Sequence, residues 1–339
     1  MHRVRASAAV ALGVSLWAWA LQALAADDPA ARLARGAYLM NGPVACANCH
    51  TPRGPDFSFL PGMDYAGGFK IVDPAFEVYS ANITPDKETG IGAWTDAQII
   101  TAIREGRTRE GRINFPPMPV PTYNAMSDDD VKAIVAFLRS VKPVRNQVPE
   151  PKYRIPQQAM PPAKGLPAPP AGDKGGTGRY IVTALAHCFE CHTGPNAKGE
   201  PDFEHLMGAG GMTITLAPGA TVKTANITPD PETGIGKWSD ADIKRALTEG
   251  LRPDGRRLAP PMPFPFFKNM TGEDLDAVVA YLRTIPPIRN AVARTEFQKA
   301  TFKWRGACGI PPSGRHRHRR AAICSPARRR RRWPAAAPG

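Results

Sequence analysis

The sequence predicts an all-α protein made of two tandem copies of one small helical domain. Three observations lead there. The stretch ANITPDKETGIGAWTDAQIITAIREG at 81–106 aligns without a gap to ANITPDPETGIGKWSDADIKRALTEG at 225–250. The match runs on through a proline–methionine loop into DDDVKAIVAFLRSVKPVRN and GEDLDAVVAYLRTIPPIRN, so the chain is an internal duplication. Apolar residues in both copies recur at helical spacing behind good N-caps. Each copy also opens on the same pentapeptide pattern, C-x-x-C-H, at 46–50 and 188–192.

Taken in order, residues 1–26 begin MHRVR and continue as an uncharged run from Ala6 to Ala26 that ends Ala23-Leu24-Ala25. A basic start, an apolar run and a small-residue cleavage site describe a signal peptide, which puts the rest of the chain in the periplasm. The first domain is expected over 27–148 and the second over 177–300. Their leading helices are PAARLARGAYLMN and TGRYIVTALA. Gly36 and Gly178 let these helices approach the terminal helices closely, with Tyr38 and Tyr180 packing alongside. The loop after each C-x-x-C-H leaves room for a small β-hairpin, as at FEVYS.

The next helices start at the N-caps Thr95 and Ser239 and stop at Gly106 and Gly250, residues suited to the left-handed turn past a helix end. FPPMPVP (115–121) and APPMPFP (259–265) then each hold a methionine between prolines, where neither a helix interior nor a central strand can form. The terminal helices begin at Ser127 and Thr271. Val131, Ile134, Val135 and Leu138 line one face of the first. Met126 and Met270 stand just before the caps, with Val131 and Leu275 four residues into the helices, as hydrophobic staples.

Between the copies, residues 149–176 carry eight prolines from 149 to 170 and read as a semi-rigid linker. Residues 301–339 read as a disordered basic tail. Its last 27 residues hold nine Arg and no Asp or Glu, an abrupt change of composition of the kind a shifted reading frame produces. The formal charge of +14 comes largely from this tail and from Arg3 and Arg5. The body is only mildly basic, so nucleic acid is not an expected partner. The arginines suit peripheral contact with an anionic membrane surface, which would place the protein at the outer face of the cytoplasmic membrane.

Four of the six cysteines are Cys46, Cys49, Cys188 and Cys191. C-x-x-C-H is the attachment motif of c-type heme. Cysteines three apart on a helical turn share a face and can form thioethers with the two vinyl groups of a porphyrin. The adjoining His50 or His192 then reaches the iron. Zinc would want four ligands where each cluster offers three, and a thioredoxin-like redox pair would want a βαβ setting. Two complete motifs on an exported chain favour two covalently bound heme c groups over zinc, a redox pair or a disulfide.

Helix, C-x-x-C-H, helix, methionine loop and a terminal helix ending AFLRS or AYLRT resemble class I cytochrome c. The finer pattern ANITPDxETGIGxW … PPMP … A(F/Y)LR resembles the multiheme cytochrome subunits of bacterial membrane-bound alcohol, gluconate and sorbitol dehydrogenases. The resemblance covers about residues 30–295. It departs in one respect, because the best-known members carry three heme motifs and this chain has two. It implies two tandem class I cytochrome c domains with Met118 and Met262 as the distal iron ligands. Flanking prolines suit that role, since a weak iron–sulfur bond is helped by a ligand held in place beforehand. The implied function is electron transfer without catalysis, from a periplasmic or membrane-bound dehydrogenase to quinone or a terminal oxidase. The alternative is a heme enzyme such as a diheme cytochrome c peroxidase, which needs one open iron position. Equivalent methionines in both copies weigh against it.

Overall fold

The computed structural model describes residues 28–293, apart from 55–56, 164–166 and 218–219. The expected signal peptide (1–26), the end of the second domain (294–300) and the tail (301–339) lie outside the described residues. No described helix is long and apolar enough to cross a membrane.

The first repeat holds α1 (Pro29–Asn41), α2 (Ala47–His50), β1 (Lys70–Asp73), β2 (Phe76–Tyr79), α3 (Asp96–Arg104), α4 (Val120–Tyr123) and α5 (Asp128–Ser140). Local chemistry accounts for the helix ends. Asp28 accepts from Ala30 N to cap α1, and Thr95 forms a capping box with Gln98 on α3. Ser127 Oγ accepts from Asp130 N at 3.2 Å to start α5, whose first turn carries three acidic residues. The apolar face of α5 is buried along α1. Gly36 makes that crossing possible, because a Cβ there would stand 2.0 Å from Ala133 O. Met126 is fully buried beside Val131 in the core, as a staple should be.

The second repeat follows the same plan: α6 (Lys174–Tyr180), a π turn (Ile181–Leu185), α7 (Cys188–His192), β4 (Thr213–Ala217), β5 (Ala220–Lys223), α8 (Asp240–Glu249), α9 (Phe264–Phe267) and α10 (Gly272–Leu282). Gly178 against Ala277 O reproduces the 2.0 Å approach. The leading helix starts earlier than expected, from Asp173, whose carboxylate accepts from Gly176 N at 2.8 Å.

Two expectations need correcting. The fold is not all-α. β1 and β2 pair antiparallel from Lys70 opposite Tyr79 to Asp73 opposite Phe76, and β4 pairs with β5. Alternation explains the hairpin, since Phe76 and Val78 turn into the core while Glu77 and Tyr79 stay partly exposed.

The linker 149–176 is also no free spacer. Its Lys152–Tyr153 forms β3, a third strand on β2 with Phe76 opposite Tyr153. Beyond it, Gln157 Nε2 donates to Ile113 O and Phe115 O at 3.0 Å each, and Met160 N donates to Glu105 O at 3.1 Å. Residues 174–176 already belong to α6. Proline removes donors from this segment but leaves its other polar groups to pair with the first repeat.

The two tyrosines do more than pack beside their own terminal helices. Tyr180 Oη donates to Asp130 Oδ2 at 2.8 Å and accepts from Ser127 N at 2.9 Å, both at the start of α5 in the other repeat. Tyr38 Oη makes the equivalent pair of bonds to Asp274 and to Thr271 N of α10. Burial, reinforced by the bond to Asp274, pushes the Tyr38 phenol up to about 12. Arg35 grips Asp130 with two bonds, of 2.8 and 3.0 Å.

Candidate functional site

Each C-x-x-C-H begins on strained backbone. Ala45 and His187, immediately before the first cysteines, take left-handed φ values of 50° and 42°. Such conformations are costly for residues other than glycine and gather at functional sites. They turn the chain sharply into α2 and α7, single helical turns that carry the motif. Cys46, Cys49, Cys188 and Cys191 are not joined in disulfides. Among the described residues no three His, Cys, Asp or Glu side chains converge as a metal-ion site.

His50 Nδ1 lies 2.7 Å from Ala81 O, and His192 Nδ1 lies 2.7 Å from Ala225 O. A carbonyl only accepts, so Nδ1 carries the proton and Nε2 is the nitrogen left to coordinate. Removal from water lowers the pKa of both imidazoles, against the opposing pull of the carbonyl. A neutral ring held in one tautomer is the form that binds iron.

The repeated ANITPD sequence explains how that carbonyl is placed. Asn82 Oδ1 accepts from Thr84 N and Thr84 Oγ1, while its Nδ2 donates to Thr89 Oγ1 and to Val144 O beyond α5. Asn226 repeats the set with Thr228, Thr233 and Ile288 O. Asp86 and Asp230 close the same loops on Thr89 and Thr233. Each knot thus ties the exit of the terminal helix to the asparagine that directly follows the residue whose carbonyl orients the histidine. The arginine of each AFLRS or AYLRT end completes it. Arg139 donates to Ile91 O at 3.1 Å and to Trp94 O, and Arg283 does likewise to Ile235 O and Trp238 O.

Met118 and Met262 are half-buried and pack against the core that also receives Cys46, Cys188, Trp94 and Trp238. Their loops are braced from behind. Asn114 N bonds Gly106 O and Leu258 N bonds Gly250 O, with both glycines at positive φ. The loops run straight into α4 and α9, begun by Pro119 and Pro263. In the first repeat the linker adds Gln157 on the carbonyls of Ile113 and Phe115.

The residues present fit heme c. Each repeat supplies two thiols on one turn, an oriented imidazole and a thioether on a shared core. Each also holds buried guanidinium N–H groups that make no hydrogen bond: Arg53 Nε with Arg104 Nε and Nη2 in the first, Arg245 Nε and Arg252 Nε in the second, the last 3.9 Å from the Asp254 carboxylate. Unspent cationic donors suit a group that brings carboxylates. The eight residues expected from the sequence as ligands and attachment points lie on these two motifs and methionine loops. Sequence reasoning did not reach Ala81 and Ala225, whose contribution is a backbone carbonyl, or Arg139 and Arg283, whose only sequence signal is recurrence at the same place in both copies.

Residues 33–142 and 177–286 each match the family model described as Cytochrome c. The fructose dehydrogenase cytochrome subunit of Gluconobacter japonicus is 35% identical over 272 residues, covering 75% of this chain and 52% of that one. The cytochrome c subunit of alcohol dehydrogenase (quinone) of Gluconacetobacter polyoxogenes is 32% identical over 303 residues, covering 82% and 61%. A diheme cytochrome c-type protein of Cereibacter sphaeroides is 31% identical over 261 residues, covering 72% and 82%. The chain therefore spans about half to three-fifths of the length of the two dehydrogenase subunits.

Proposed function

On the premise that this chain belongs to the cytochrome c family, we propose that it is a periplasmic diheme electron carrier. It accepts electrons from a partner dehydrogenase and passes them to quinone or a terminal oxidase. The observation that carries the reading is the pair of Nδ1-to-carbonyl bonds at 2.7 Å, made identically in both repeats. Both imidazoles are thereby held in the tautomer that leaves Nε2 available to coordinate iron.

Cys46, Cys49, His50 and Met118 would hold one heme c, and Cys188, Cys191, His192 and Met262 the other. Each group supplies a one-electron iron couple. The protein's own part is to keep the surroundings unchanged between oxidation states. The asparagine knots fix the imidazoles, the prolines and hydrogen-bonded loop ends fix the thioethers, and the apolar core excludes water. A dehydrogenase as donor is supported by the names of two relatives, cytochrome subunits of fructose and alcohol dehydrogenases. The periplasmic location rests on the sequence of residues 1–26.

Carbon monoxide added to the reduced, heme-loaded protein tests the reading. Two six-coordinate hemes should bind it slowly at most. Rapid binding at one heme overturns the carrier assignment in favour of a heme enzyme such as a peroxidase. Co-purification then identifies the donor, and recovery of a dehydrogenase with the chain is the expected result.

A further inference from the structure

The heme-attachment turn of each repeat meets the methionine loop of the other. Asn48, between Cys46 and Cys49, donates from Nδ2 to Pro261 O at 2.9 Å. That oxygen belongs to the peptide bond leading into Met262. Glu190 holds the equivalent place in the second motif and accepts a 2.7 Å bond from Thr122 Oγ1, four residues past Met118. Aromatic contacts flank both bonds. Tyr123 meets His187 edge-on at 6.0 Å, and Phe266 meets Phe59 edge-on at 5.9 Å.

We infer that Asn48 and the Thr122–Glu190 pair are positioning residues for the methionines that would bind iron, each fixing the methionine loop of one repeat against the attachment turn of the other. Sulfur ligation in the two repeats is therefore coupled through the protein. An isolated turn could not hold its loop this way, because the prolines leave the loops few backbone donors of their own. The bond at Pro261 acts next to the ligand and the bond at Thr122 acts through α4, so Met262 depends on its lock more directly than Met118. The inference rests on Met118 and Met262 being the axial ligands.

The test uses the full heme-loaded chain, with one methionine replaced by histidine so that the sulfur–iron absorption band reports a single repeat. In a Met118→His background the band belongs to Met262. Adding Asn48→Asp there keeps an oxygen for Arg53, which Asn48 Oδ1 now binds at 2.7 Å, but sets an acceptor against Pro261 O. The band should weaken, and carbon monoxide should bind the reduced second repeat about fivefold faster, the factor expected for losing one ordinary hydrogen bond. In a Met262→His background, Thr122→Val should loosen the first repeat less, about two- to threefold, and Thr122→Ser should restore it. Bands and binding rates that ignore both Asn48→Asp and Thr122→Val overturn the inference while leaving the ligand assignment standing. Absence of the band from the unmodified protein instead overturns the ligand assignment, and the inference with it.

Discussion

Tyr180→Phe removes one oxygen and nothing else, at a point where the two repeats are joined. That hydroxyl donates at 2.8 Å to Asp130, whose side chain is 4% exposed, and accepts at 2.9 Å from Ser127 N at the head of α5. A hydrogen bond to a charged group is worth about 1.5–3 kcal/mol net, and a neutral one about 1 kcal/mol. Arg35 keeps both carboxylate oxygens of Asp130 engaged, so the variant does not also strand a buried charge. The expected loss is therefore about 3 kcal/mol. Urea unfolding of the heme-loaded protein should show a lower midpoint with an unchanged slope. Tyr38→Phe should behave alike, and the double variant should fall short of the sum. The reason is that Arg35 touches both sites, bonding Asp130 while its guanidinium stands 5.6 Å from the Tyr38 ring centre. A Tyr180→Phe protein within about 0.5 kcal/mol of the parent would refute the account of the junction.

Gly36→Ala should cost at least about 2 kcal/mol by the same measurement, because the new methyl meets the backbone at Ala133 O and neither helix can yield cheaply. Gln157→Ala should leave the carbonyls of Ile113 and Phe115 unpartnered, cost about 1–2 kcal/mol and weaken the sulfur–iron band of the first repeat alone. His187 should make the second repeat acid-sensitive. Burial lowers its pKa to about 4, so the neutral ring contributes stability that is fully present above about 6.5 and lost as pH falls through about 4, up to about 3 kcal/mol in all. Thermal unfolding between pH 7 and pH 4 measures it. His187→Asn, which tolerates the left-handed φ, should flatten the profile.

What could be read from the sequence was what depends on near neighbours. The caps at Thr95, Ser127, Ser239 and Thr271 all accept the bonds expected of them, because a cap needs only its own first turn. Met126 and Met270 are buried for the same reason. Gly36 and Gly178 were legible because a glycine inside a helix, repeated in both copies, asks for a close approach. The tyrosines two residues on were expected only to pack, since no local pattern says that a phenol crosses to the other repeat. The linker was misread because proline content signals stiffness but not where a stiff segment docks. Two residues, Lys152 and Tyr153, suffice to join a sheet already formed by β1 and β2. At the site, residue types pointed to candidate ligands. The groups that aim them are backbone carbonyls, which any side chain can carry.

The tyrosine–aspartate contacts are one contact used twice with the partners exchanged, which is how two identical subunits meet across a two-fold axis. A duplicated chain whose halves meet in this way has the contact pattern of a symmetric homodimer carried on one polypeptide. Carrying both halves on one chain makes their association intramolecular and independent of concentration. The halves are not identical. Arg35 now answers Asp130 where the second copy places Thr177, and Asn48 faces a carbonyl where the second copy places Glu190. The two sites therefore differ in their surroundings although their motifs repeat.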